Sequence, residues 1–363
     1  MQTAESTCAT AGLAIWSRGE RCGVSLILFA KLLLLMIASI GKVVYKSLVK
    51  LVESLIRSYV EGKGLGSLPF DLMGKMGSKH DLLYVLYGKT GVAIIDKIKA
   101  MIMSRMQQAI LRDNHNRRFL IEEFLGVNMQ FDLYSFTDLI VLNEIRLRGL
   151  FERSTSKFIV DALKLGDTFV DVGANSGYYS LLASKRVGDS GKVYSFEPFP
   201  PAFMRLKRNI EMNNSRNIFA IPKAISREEG KQSLFVSDLQ DGMSSLIPVS
   251  HKNVLTVEVT TLDAFVPREN IALVKIDVEG AESDVLLGAQ HLLSSGRLSQ
   301  IVVEWNRPLY SAWQCDSYFN NCKEIGEVYR ILDGEEPKGY ALHGPIKDRR
   351  ILPVHCNLLI VPR

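Results

Sequence analysis

Residues 168–177 read TFVDVGANSG, and the organisation of the whole chain follows from them. Thr168–Val172 is a short apolar run of buried-strand type, and Gly173 and Gly177 bracket a tight turn before a helical stretch from Tyr178 to Arg186. In an open α/β sheet, glycines at the C-terminal end of the first strand let a ligand approach the backbone closely. The spacing is Gly173-xxx-Gly177, not GxGxxG, so the turn suits a cofactor without a diphosphate better than a dinucleotide. A tight strand-to-helix turn with no ligand is the structural alternative.

Outward from that turn, strand-type and helix-type runs alternate. Lys192–Phe196 precedes a helical Phe203–Asn213, then come Ile218–Ile221, Leu273–Ile276 before a helical Ala281–Ser294, and Ile301–Glu304. Alternation of this kind predicts a doubly wound, mostly parallel sheet with helices on both faces. Val328–Leu332 and Cys356–Val361 predict an antiparallel hairpin closing the sheet, and Ser233–Val236 and Val254–Thr261 predict strands within an insertion.

The strand ends carry acids. Glu197 ends the second strand 26 residues beyond Asp171, one βαβ unit away. A carboxylate there accepts hydrogen bonds from ribose hydroxyls; its alternative role is a strand-end charge or a helix cap. Asp277 and Glu279 end the fourth strand, and Glu304 and Asn306 end the fifth. Clustered carboxylates need a proton, a lysine or a cation as partner. Lys275 is near, on the opposite face from Ile276 by alternation. Trp305 and Tyr178 read as pocket walls, and Glu279 reads alternatively as a cap for the helix from Ala281.

The segments DVGANSGYYS (171–180), FEPFP (196–200), NIEMNN (209–214), TTLDAF (260–265), LVKIDVEGAE (273–282) and IVVEW (301–305) together resemble the FkbM-type methyltransferases, over about Leu163 to Pro362. The resemblance implies a Rossmann-like class I methyltransferase fold and S-adenosylmethionine as cofactor. It also implies O-methylation of a hydroxyl on a sugar, glycan or polyketide-like acceptor. Asp171, Gly173, Asn175 and Gly177 would then line the methionine end, Glu197 hold the ribose, Ala224 lie near the adenine and Asp277 sit at the pocket floor. Asp277, Glu279 or Glu304 would take the acceptor's proton. Ser244 and Ser245 lie in a further matching segment with no derived role. A second arrangement resembles catechol-type O-methyltransferases, with Mg²⁺ held by Asp277, Glu304 and Asn306. Two other readings share the fold: a membrane-tethered scaffold with a degenerate site, and a nicotinamide-dependent oxidoreductase, which lacks its GxGxxG here.

The 363 residues exceed one typical domain, and 47% apolar with 23% charged is globular composition. A net charge of +5 is far from a polybasic nucleic-acid surface. Cys8, Cys22, Cys315, Cys322 and Cys356 fit no disulfide scaffold or zinc pair, which points to a reducing, intracellular setting. The six histidines show neither HxxxH nor HExxH spacing and are set aside as ligands or nucleophiles.

Three regions are expected: a leader over 1–66, a helical N-terminal region over 67–150 and the methyltransferase domain over 151–363. Residues 24–40, VSLILFAKLLLLMIASI, are a candidate membrane segment, about 26 Å long as a helix. Lys42 to Val60 follows as an amphipathic helix. Lys42, Lys46, Lys50 and Arg57 outnumber Arg18 and Arg21, which would leave the C-terminal bulk in the cytoplasm, attached to the membrane through 24–60.

Overall fold

The computed structural model describes residues 117–236, 244–246, 253–265, 269–306, 312–334, 338–353 and 355–363. The chain there runs β1 (Phe119–Phe124), β2 (Val127–Asp132), α1 (Phe136–Arg148), α2 (Arg153–Ala162), β3 (Thr168–Val172), α3 (Tyr178–Val187), β4 (Lys192–Phe196), α4 (Pro200–Met212) and β5 (Ile218–Ile221). It continues through β6 (Ala224–Ile225), β7 (Gly230–Val236), β8 (Asn253–Thr260), α5 (Leu262–Phe265), β9 (Leu273–Ile276), α6 (Glu282–Leu287) and α7 (Gln290–Ser294). The last elements are β10 (Ile301–Asn306), α8 (Ala312–Ile325), β11 (Gly326–Asp333), β12 (Tyr340–His343) and β13 (His355–Pro362).

Eight strands form one sheet in the order β12-β11-β13-β10-β9-β3-β4-β5. β3 pairs in parallel with both β4 and β9, β4 with β5, and β9 with β10, while β13 runs antiparallel to β10 and to β11. This is the doubly wound fold with a closing hairpin that the alternation predicts. The chain moves outward from β3 to β5 and then returns to β9, so the reversal lies between β3 and β9, where open α/β sheets bind ligands at the strands' C-terminal ends. Every residue of β3, β9 and β10 is buried, as expected of parallel strands covered on both faces.

One correction concerns the region expected to be helical over 67–150. Residues 119–132 are a β-hairpin, joined by a two-residue turn in which both Leu125 (φ 48°) and Gly126 (φ 72°) are left-handed. The sequence carries a period-two signal here, with Val127, Met129 and Phe131 buried while Asn128 and Gln130 are not. That face joins Phe169, Tyr178 and Leu181 in one apolar cluster, so the boundary expected at 150/151 falls inside a continuous core. A second cluster, with Val303, Trp305, Tyr318 and Leu358, fills the opposite face.

The candidate membrane segment 24–40 and the amphipathic 42–60 lie outside the described residues. Among the described residues, no helix is long and apolar enough to cross a membrane.

Candidate active site

The glycine turn is packed directly against the end of β9. Gly173 sits at φ 85°, and a Cβ added to it would lie 1.8 Å from the Asp277 carbonyl oxygen, so no side chain fits. The amides of Gly173 and Ala174 both donate to Phe196 O, at 3.0 and 2.9 Å, which binds the loop to the end of β4. Gly177 approaches Leu206 of α4 in the same way.

Asn175 and Glu197 meet across this junction. Asn175 is left-handed at φ 48°; its amide donates to Glu197 Oε2 at 2.9 Å, and the Phe199 amide donates to Oε1 at 2.8 Å. Burial pushes the Glu197 carboxyl from an ordinary 4.5 up to about 7, against the pull of the two amides and Arg205. Asn175 Oδ1 is buried with no hydrogen-bond partner among the described residues. Asp171 is 1% exposed and lies behind the loop, accepting from Ser180 Oγ at 2.6 Å, while Ser195 Oγ donates to Ser180 Oγ at 2.8 Å. Ala224 lies in a small apolar cluster with Phe199, Ala202 and Leu234.

Strand alternation builds the rest of the site. Asp171 is paired with Lys275, Lys275 with Val302, Glu304 with Asn357 and Asn306 with His355. One face of the sheet thus carries Asp171, Lys275, Asp277, Glu304, Asn306, Asn357 and His355, and the other carries Ile276, Val303 and Trp305. Lys275 is buried and, as expected, serves as a carboxylate partner: its Nζ donates to Asp277 Oδ2 at 3.0 Å and lies 4.6 Å from the centroid of the Tyr179 ring. Its pKa is raised despite burial, by the charges of Asp277, Asp171 and Glu152. Tyr179 in turn donates to Glu152 Oε2 at 2.6 Å, which also accepts from Asn357 Nδ2 at 2.9 Å.

Sequence spacing sets His355 aside as a metal ligand or nucleophile; the structure gives it a different place, beside Glu304. Its Nε2 lies 2.6 Å from Glu304 Oε1, on a strand that β10 meets only through the fold. Burial and the Asp277 charge raise the Glu304 carboxyl pKa, opposed by His355; the His355 pKa is raised in turn because the carboxylates outweigh its burial. Glu279 is half-buried at φ 55°, and burial with the charges of Glu304 and Asp277 raises its carboxyl well above the usual range. It does not cap the following helix. Nor does any other side chain: Glu282, the helix's first residue, instead holds the loop ahead of it, accepting from the amides of Val278 at 3.2 Å and Gly280 at 3.0 Å. Ser245, which the sequence leaves without a role, is buried and donates to Glu279 O at 2.7 Å.

Two expected pocket walls belong to the core instead. Trp305 is 0% exposed on the far face, stacked on Tyr318 at 5.7 Å, with Nε1 donating to Pro353 O. Tyr178 is buried against Phe124 and Phe151, its hydroxyl accepting from the Phe151 amide. Among the described residues no group of three His, Cys, Asp or Glu side chains is placed to hold a metal ion. Asp277 and Glu304 of the catechol-like arrangement each already face a nitrogen, on Lys275 and His355. Cys315, Cys322 and Cys356 are buried free thiols.

Residues 171–342, from the acid of β3 into β12, match the methyltransferase FkbM domain. Over that range, just under half of the chain, it is similar to the FkbM methyltransferases. Methyltransferase 1 of Beauveria bassiana is 31% identical over 148 residues, covering 34% of this chain and 58% of that protein. The chain thus spans less than two thirds of the fungal relative. Hexuronic acid methyltransferase AglP of Haloferax volcanii is 26% identical over 190 residues, 51% of this chain and 73% of its own. Among solved structures, the FkbM methyltransferase of Methylobacillus flagellatus aligns over 74% of this chain and 59% of its own, at 18% identity and a TM-score of 0.36. The matched range begins inside the continuous core, so the hairpin β1–β2 and helices α1 and α2 complete that core from outside it.

Proposed function

We propose that this chain is an S-adenosylmethionine-dependent O-methyltransferase acting on a hydroxyl of a sugar, glycan or polyketide-like small molecule. The observation that carries the reading is Glu197, a buried carboxylate at the end of β4 that grips the Asn175 amide of the glycine turn. Each carboxylate oxygen has a second lone pair, so both remain able to accept from ribose hydroxyls. The cofactor fits the residues present: it is cationic at its sulfonium and ammonium, and Asp277, Glu279, Glu304, Glu197 and Asp171 outnumber Lys275 and His355 around the site. Asn175 Oδ1, a buried acceptor without a donor, suits the ammonium.

When bound, the cofactor supplies a methyl group already activated by positive sulfur. The chain's residues must orient the acceptor, exclude water and take a proton. Glu304 suits the role of proton acceptor, since Oε2 is buried and has no partner among the described residues while Oε1 is held by His355. The acceptor hydroxyl's proton would pass to Glu304, and the His355 imidazole would steady the carboxylate before and after. Lys275 fixes Asp277 at the pocket floor, and burial with the neighbouring carboxylates makes Glu279 hold a proton more readily than a free glutamate does. We assign no step to Mg²⁺, because Lys275 and His355 already supply the positive partners that Asp277 and Glu304 would otherwise seek. The basic flank of residues 24–60 supports attachment to the cytoplasmic face of a membrane, which carbonate extraction tests.

The deciding measurement is calorimetric titration of the full chain with S-adenosylhomocysteine and, separately, NAD. The first binds and the second does not, and Glu197→Ala weakens binding about 10- to 100-fold, the worth of hydrogen bonds to a charged acceptor. Binding of NAD, or no binding of either by folded protein, overturns the reading.

A further inference from the structure

Two buried acceptor atoms on β10 are left without donors. Glu304 is 8% exposed and Asn306 2% exposed, and among the described residues neither Glu304 Oε2 nor Asn306 Oδ1 has a hydrogen-bond partner. They stand two residues apart on the same face of one strand, roughly 6.6 Å along it, beside Asp277. A buried acceptor left unpaired destabilises the fold, so two in a row are unexplained by folding alone. The opposite face of the same strand, Val303 and Trp305, is packed without any such defect.

The geometry points to an acceptor subsite in which Glu304 Oε2 and Asn306 Oδ1 receive two neighbouring hydroxyl groups of one polyol, the adjacent diol of a sugar ring. The inference rests on the methyl-transfer reading and adds to it the class of acceptor. A ligand that satisfies both atoms must offer two donors a few ångströms apart, which a lone alcohol or a phenol does not. The cluster of Asp277, Glu279 and Glu304 around these atoms favours hydroxyls over a carboxylate-bearing partner. The hydroxyl on Glu304 is the one deprotonated, and the one on Asn306 sets which position of the ring presents itself. A divalent cation would also satisfy two acceptors, but His355 and Lys275 already neutralise the carboxylates on either side.

Saturation-transfer NMR on the full chain tests this, with and without S-adenosylhomocysteine. The probes are methyl hexopyranosides with adjacent free hydroxyls, their monodeoxy counterparts, glucuronate and, by calorimetry, MgCl₂ alone. At least one methyl hexopyranoside binds, removal of either hydroxyl of the recognised pair weakens it about tenfold, and glucuronate competes less well. Asn306→Leu and Glu304→Gln each weaken sugar binding about tenfold, and Asn306→Leu leaves S-adenosylhomocysteine affinity within twofold. The deoxy series uses unaltered protein, so it decides even if a variant unfolds. The subsite is overturned if no hexopyranoside binds, if the monodeoxy sugars bind equally, or if MgCl₂ binds alone and Asn306→Leu abolishes that. Sugar binding without S-adenosylhomocysteine binding would sink the cofactor reading and keep the subsite; the converse would do the reverse.

Discussion

At the scale of single residues, Glu197 couples protonation to binding. Its carboxyl titrates near 7 in the folded chain against an ordinary 4.5, so the fold holds the proton more tightly than the unfolded chain does. Its contribution to stability is therefore present below about pH 4.5 and is lost as pH rises towards 7. Ligand binding has the opposite sign, because ribose hydroxyls donate to the ionised form. Affinity for S-adenosylhomocysteine should rise between pH 6 and 8, and calorimetry across that range should find the slope flattened in Glu197→Gln. Unchanged slopes in the two proteins would mean that Glu197 does not touch the ligand. Asn209 is a second residue with more to do than its position in a helix suggests. Its Oδ1 accepts from the Gln130 amide at 2.8 Å and its Nδ2 donates to Ser176 O at 2.9 Å, tying the hairpin to the glycine turn. Asn209→Ala leaves both backbone groups unpaired and should cost roughly 2–4 kcal/mol in urea denaturation, with weaker S-adenosylhomocysteine binding.

At the scale of elements, β10 is divided between its two faces. Trp305→Ala should lower stability by roughly 3–5 kcal/mol, because the indole stacks on Tyr318 in a filled core. Denaturant melts would show it, and a loss under 1 kcal/mol would place the ring outside the core. The strands themselves were legible in the sequence, since apolar runs such as Phe169–Val172 and Leu273–Ile276 announce buried parallel strands. So were Glu197 and Asp277, because a turn of known spacing fixes what lies beside it. The faces were harder. Alternation places Trp305 opposite Glu304, yet an aromatic next to an acid at a strand end looks like a pocket wall until the helix packed on it is known. His355 was invisible for a different reason: 51 residues separate it from Glu304, and only the antiparallel return of β13 brings the two together. The hairpin at 119–132 did carry its signal, the alternation of Val127, Met129 and Phe131, but neighbouring helical periodicity masked it.

At the scale of the whole molecule, the functional fold begins earlier than its most recognisable motif. Phe124, Met129 and Phe131 share a core with Phe169 and Leu181, and Glu152 reaches Tyr179 and Asn357 beneath the site. A chain cut to residues 151–363 should therefore lose its cooperative thermal transition and bind a hydrophobic dye, whereas one that begins before Arg118 should melt in a single step. Equal melting of the two would show that the hairpin is an ornament. The split personality of β10 has a consequence over generations. Its inner face, Val303 and Trp305, answers for the architecture, while Glu304 and Asn306 on the other face answer to whatever molecule arrives. Descendants of such a chain can exchange the residue at 306, and with it the molecule they recognise, without renegotiating the packing behind it. Lineages built on this strand are free to diversify in chemistry while inheriting one scaffold.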